Sequence, residues 1–148
     1  MSRIHDSVAR YFSNRDWPSE DHADYFATPV AGHHGQWTAI FDLREDDEQL
    51  LVYSVIAVNI PEERRNSVAL YLTRANNGLA IGNFEMDLDN GDVRFKTSID
   101  VEEAELSDAL IDHLFLANVV SADRYLPGIH AVAAGEDPVS AADSAESS

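Results

Sequence analysis

The chain has 148 residues, with 27 acidic and 10 basic side chains, a formal net charge of −17 and no cysteine. That length suits one domain with a sizeable core, and the missing thiols exclude a disulfide framework, a thiolate nucleophile and cysteine-ligated zinc. The negative field repels phosphate backbones, so no nucleic acid is expected as partner; no apolar run approaches the ~20 residues of a membrane helix, and MSRIHDSVARYF lacks a signal-peptide core, which fits a cytoplasmic protein with no membrane partner.

In chain order, Ile4, Val8, Tyr11 and Phe12 form a helical stripe that predicts a first helix over about residues 2–14, ended by Trp17-Pro18. ADYFATPV at 23–30 reads as a short strand, and Pro29 suggests a sheet edge. GHHG at 32–35 is a turn, followed by QWTAIFDLR, in which Trp37, Ala39, Phe41 and Leu43 share one face. After the charged connection REDDEQ comes LLVYSVIAV at 50–58, apolar on both faces: Leu51, Tyr53, Val55 and Ala57 on one, Leu50, Val52, Ile56 and Val58 on the other. A half-solvated antiparallel sheet does not require this, so a helix, a second subunit or a bound peptide is expected to cover the second face.

Pro61 opens a second helix, with Glu62 and Glu63 in its first turn and Val68, Leu72 and Ala75 on its apolar stripe; Asn77-Gly78 stops it. MDLDNGDVRF at 86–95 poses a choice between a calcium loop and a hairpin. Counting from Asp87, the twelfth position is Ser98, which supplies no bidentate carboxylate, so the calcium reading fails. A two-residue Asn90-Gly91 turn pairs Leu88 with Val93, Asp87 with Arg94, Met86 with Phe95 and Glu85 with Lys96, sorting apolar and charged side chains to opposite faces. The last helix begins near Ser107, a candidate N-cap, and is apolar over a wide arc until Pro127-Gly128 breaks or kinks it. From Gly135 the residues are small and polar and predict a disordered acidic tail, 135–148, after a domain spanning 1–134. The result is an α+β fold: a five-stranded antiparallel sheet with three helices in the order α-β-β-β-α-β-β-α.

Candidate chemistry is sparse. His33 and His34 are adjacent, so their side chains diverge and need ligands such as His5 or His22 from elsewhere; a polar turn is the expectation, with no metal and no cofactor. There is no G-x-S-x-G elbow, and GLAIGNFE lacks the lysine of a phosphate loop. REDDE and VEEAE read as solvated connections rather than acid–base pairs, so no catalytic residue is assigned and no enzyme is expected. Tyr25 and Phe26 point to opposite faces of the edge strand, so one of them is expected to be exposed and able to anchor a peptide.

The runs NIPEERR, LTRANNGLAIGNFEMDLDNGDVRFKTSIDVE and DRYLPGI resemble the YbjN family of bacterial proteins, over about residues 7–137. Asn77 stands where the family often has tyrosine, and the His33-His34 turn looks peculiar to this chain; neither departure touches the fold. The resemblance implies a fold like that of class I type III secretion chaperones, which are small, acidic, cytoplasmic homodimers that hold a segment of a secreted protein. It carries no catalytic motif. The expected function is therefore a chaperone-like protein-binding module, a homodimer that holds or regulates a protein partner; the alternative is a regulator of signalling or stress responses that binds one folded partner. Expected contact residues are Tyr25, Phe26, Val52, Ile56 and Val58.

Overall fold

The computed structural model describes residues 2–147; Met1 of the expected domain and Ser148 of the expected tail lie outside the described residues. Helix α1 (Arg3–Arg15) leads into strands β1 (Glu20–Asp21), β2 (Tyr25–Ala31), β3 (Gln36–Arg44) and β4 (Gln49–Asn59). A single 3-10 turn then feeds α2 (Arg65–Asn77), followed by β5 (Asn83–Met86), β6 (Asp92–Asp100), α3 (Asp108–Ala133) and α4 (Pro138–Glu146). All strands pair antiparallel, in the order β1-β2-β3-β4-β6-β5.

The α+β architecture is as expected, but among the described residues it has six strands and four helices rather than five and three. Strand β1 is only two residues long, too short to leave a periodic signal, and it pairs with Phe26 and Ala27 of β2. Helix α4 replaces most of the expected disordered tail. Nine residues of small, polar sequence do not hold a helix alone. Here Asp137 caps the N-terminus by accepting from Ser140 N at 2.9 Å, Pro138 occupies the first turn, and Ala141 and Ala142 are buried. The helix packs on α2 and α3, and the Arg124 guanidinium donates to the carbonyls of Ala145 and Glu146 at its far end.

Strand alternation sets one covered face. Trp37, Ala39, Phe41 and Leu43 of β3, and Leu50, Val52 and Ile56 of β4, are buried beneath the helices. Aromatic contacts seal the layers: Phe41 meets Phe12 of α1 and Phe115 of α3, and Phe84 of β5 meets Tyr125 of α3. The first backbone N–H groups of α1 are orphans by construction. Glu45, from the β3–β4 turn, accepts from those of Ile4 and His5 at 3.0 and 2.6 Å.

The β5–β6 hairpin forms with its faces as predicted and with a different turn. Phe84 pairs with Phe95, Glu85 with Arg94 and Met86 with Val93, two residues away from the two-residue-turn register. A shift of two keeps every side chain on its face. Residues 88–91 form a four-residue loop in which Gly91 N donates to Asp87 O and Gly91 has φ +82°, and Leu88 is exposed rather than paired. The loop is fixed from outside: Arg65 donates to the carbonyls of Leu88 and Asp89, Asn59 to that of Asn90, and Ile60 N to Gly91 O. These anchors lie in other elements, so local turn chemistry does not decide the register.

Helix α3 also departs from expectation: it runs through Pro127 to Ala133. A proline removes one N–H, leaving the carbonyl four residues earlier unbonded. That carbonyl belongs to Asp123, and His34 Nδ1–H donates to it at 3.0 Å, while His34 N donates to Asp123 Oδ1 at 2.8 Å. The turn 32–35 thus supplies the partner that the helix lacks. Gly32 and Gly35 permit the approach, since a methyl on either would overlap Asp123 and Trp37, or Leu126.

Candidate functional site

Two surfaces carry uncovered apolar side chains. The first is the open face of the sheet. Across it runs the row Ala27, Ile40, Tyr53 and Lys96, set by the pairing of β2, β3, β4 and β6. Leu51 and Val55 flank Tyr53 on β4, and Tyr25 lies at the β2 end. Val55 and Tyr25 are 42% and 37% exposed, whereas Tyr53 is buried although no helix lies over it. The Arg94 guanidinium stands 4.2 Å from the centre of its ring, and Glu85 braces both Arg94 and Lys96 at 2.8 and 3.0 Å. The Arg94 guanidinium thus covers the aromatic ring with its charge against the ring face.

The second surface is a groove between α3 and the β2–β3 turn, a hollow of about 830 Å³ lined by Ala31, Gly32, His33, Val119, Val120 and Arg124 among others. Val120, the most exposed apolar side chain of α3 at 64%, lines it, and Leu116, at 51%, stands beside it on the helix. Trp17, in the loop after α1, is also partly exposed and packs edge-on against Phe115, the neighbour of Leu116. Leu116 and Val120 are one helical turn apart and outside the core stripe of Ile111, Leu114, Phe115, Asn118 and Ala122. That offset is a signal the sequence carries and the apolar width of the helix hides.

The expected contact residues separate. Phe26, Val52 and Ile56 are 3%, 0% and 4% exposed beneath the helices, and Val58 is half-buried against the core. Those four serve folding, and a partner on the native surface does not reach the first three. Tyr25 alone stands on the open face.

Strand addition is obstructed at both sheet edges. On β5 the Asn76 carboxamide accepts from Phe84 N at 2.7 Å and donates to Phe84 O at 3.1 Å, occupying the groups an added strand would use. On β2, β1 covers Phe26 and Ala27, and Pro29 has no N–H to offer.

His5, His22 and His34 have partners within the protein. His22 stacks on Tyr25, and among the described residues no group of three His, Asp or Glu side chains is arranged to hold a metal ion. His5 Nε2 lies 2.9 Å from Asp21 Oδ2. That hydrogen bond holds the imidazole above its usual 6.5, against the opposing pull of burial, and the same bond holds Asp21 below the usual carboxylate value. The histidine's stabilisation is complete below 6.5 and lost as pH rises through its raised value. The aspartate's is present above 3.8 and lost as pH falls through its lowered value. His5→Gln is therefore expected to cost more stability near pH 5.5 than near pH 8.5 in urea unfolding. Equal costs at the two pH values would show that the pair carries no charge.

Compared with known proteins, residues 5–131 match the family model YbjN, described as "Putative bacterial sensory transduction regulator". Among solved structures, the fold is similar to that of YbjN from E. coli, a "putative transcription regulator". The TM-score is 0.62 at 12% identity, covering 80% of this chain and 84% of that one. It is also similar to a chain of the HopA1–SchA chaperone–effector complex, with a TM-score of 0.53 at 16% identity, covering 82% of this chain and 90% of that one. At such identities the likeness is one of fold. No curated protein sequence matches the chain, and among the described residues no helix is long and apolar enough to cross a membrane.

Proposed function

The chain belongs to the YbjN family, and from that premise we propose that it is a non-enzymatic, chaperone-like protein-binding module of the bacterial cytoplasm, a homodimer that holds or regulates a protein partner. The observation that carries this reading is the groove beside α3, where Leu116 and Val120 project into water next to a hollow of about 830 Å³. A groove with apolar walls accepts a partner segment, and the capped sheet edges leave strand addition aside. The likeness to a chain of a chaperone–effector complex supports the same reading.

Each apolar side chain buried by a partner contributes about 1.5–3 kcal/mol, so losing two weakens binding by roughly a hundredfold or more. The full chain is expected to suppress light scattering by a chemically unfolded reference protein and to retain partners from lysate of its own organism. The Leu116→Glu, Val120→Glu double variant, both sites being exposed, is expected to stay folded and to lose both activities. Unchanged activities in that variant would remove the groove from the reading. The second reading, a regulator that binds one folded partner, is favoured by the family's description as a sensory transduction regulator. It predicts a single retained protein and no effect on scattering.

A further inference from the structure

We infer that the open face of the sheet is where two copies of this chain pair, packed face to face through their β4 strands. The inference rests on the homodimeric reading above and names its surface.

One solvated face is ordinary for an antiparallel sheet, and it is then polar. Here the open face of β4 presents Leu51, Tyr53, Val55 and Ala57 without a charge, and Ile40 and Ala27 extend that surface toward β2. The charge distribution selects the occupant. The outward side chains of β3 to β6 include three cations, Arg44, Arg94 and Lys96, against four carboxylates, Asp42, Glu85, Asp92 and Asp100. Glu20 of β1, which pairs with Ala27, adds a fifth carboxylate, leaving −2 on this face out of a formal −17, and −15 on everything else. A basic partner is drawn to the other surfaces, where its charge is answered. A second copy, carrying the same −17, meets the least repulsion when the two nearly neutral faces meet.

The signs are also arranged for self-pairing. Arg44 lies on β3, to one side of β4, and Asp100 on β6, to the other, both level with Gln49. A two-fold axis along β4 brings β6 of one copy over β3 of the second, so Arg44 of each copy faces Asp100 of the other, as an isologous interface requires. Twisted sheets stack well in this aligned manner. With both edges obstructed, pairing by face is favoured over pairing by edge.

Sedimentation velocity of the full chain at about 1–100 µM tests this. Wild type is expected at twice the 16.4 kDa chain mass. Val55→Glu, exposed in the single chain, is expected to raise the dimer Kd at least a hundredfold, and Tyr25→Glu, at the periphery, about tenfold. Circular dichroism checks the fold; should Val55→Glu unfold, Tyr25→Glu with Thr38→Glu takes its place. Val120→Glu, in the groove, is expected to leave the dimer intact. A wild-type monomer at about 100 µM, a dimer untouched by the face variants, or a dimer dissolved by Val120→Glu would each overturn the inference. A monomer that still holds unfolded protein through the groove removes the homodimer and leaves the partner-binding part of the functional reading standing. A dimer sensitive to Val55→Glu that retains no partner leaves this inference standing.

Discussion

Replacing Asn118 by leucine is expected to destabilise the fold by about 3–5 kcal/mol. Asn118 is fully buried, and so is Ser54. Trp37 Nε1–H donates to Ser54 Oγ at 2.8 Å, and Ser54 in turn donates to Asn118 Oδ1 at 2.5 Å. The Asn118 amide donates to Val52 O at 2.8 Å and to Phe95 O at 3.2 Å, joining α3 to both central strands. Among the described residues every buried side-chain nitrogen and oxygen has a partner. Leucine fits the volume but strands the Ser54 hydroxyl, at about 1–3 kcal/mol in a dry interior, and takes from the two strand carbonyls their side-chain donor. Asn118→Asp keeps the size and removes the donor, so it separates hydrogen bonding from packing and is expected to cost at least as much. Urea unfolding followed by circular dichroism measures both. A loss below about 1 kcal/mol for leucine would mean that the network holds no net energy.

Gly128→Ala is expected to cost about 2–4 kcal/mol, far above the usual effect of this exchange in a helix, which is favourable. A methyl at position 128 overlaps the hydroxyl and ring of Tyr71. Tyr71 is fully buried, donates to Tyr125 O at 2.8 Å and lies edge-on against the Tyr125 ring. The ring has no room to swing away, and its hydrogen bond is lost if it does. Combining Gly128→Ala with Tyr71→Leu is expected to cost less than the sum of the two, because the smaller side chain makes the space. Additive costs would show that α3 moves as a whole rather than colliding at this point.

Much of the fold was legible because alternation and helical spacing report burial directly. The β3 face of Trp37, Ala39, Phe41 and Leu43, the α1 stripe and the Ser107 cap, which accepts from Leu110 N, all lie where the residues put them. Strand β4 was legible in part. Being apolar on both faces, it announces two apolar environments without saying which one the helices take. Phe26, Val52 and Ile56 are on the helix side for that reason, and the uncovered residues are Tyr25 and Val55. The polar Ser54 gives no help, because Asn118 and Trp37 bury it within a network that only the tertiary structure assembles. Asn118, a lone amide within the apolar arc of α3, was the visible trace of that network. The hairpin loop, held by Arg65 and Asn59, and α4, held by Arg124, failed for the same reason: their stabilising partners come from distant elements. The groove residues Leu116 and Val120 were readable only as part of a wide apolar arc.

The bond between His34 and the carbonyl freed by Pro127 has a kinetic side. The two residues it joins are 89 positions apart in the chain. The C-terminal half of α3 is therefore expected to gain this bond only once the β2–β3 hairpin is in place. Loop-closure entropy must be met before that contact stabilises anything. The turn 32–35 thereby ties completion of the long helix to completion of the sheet, and the two are expected to unfold together.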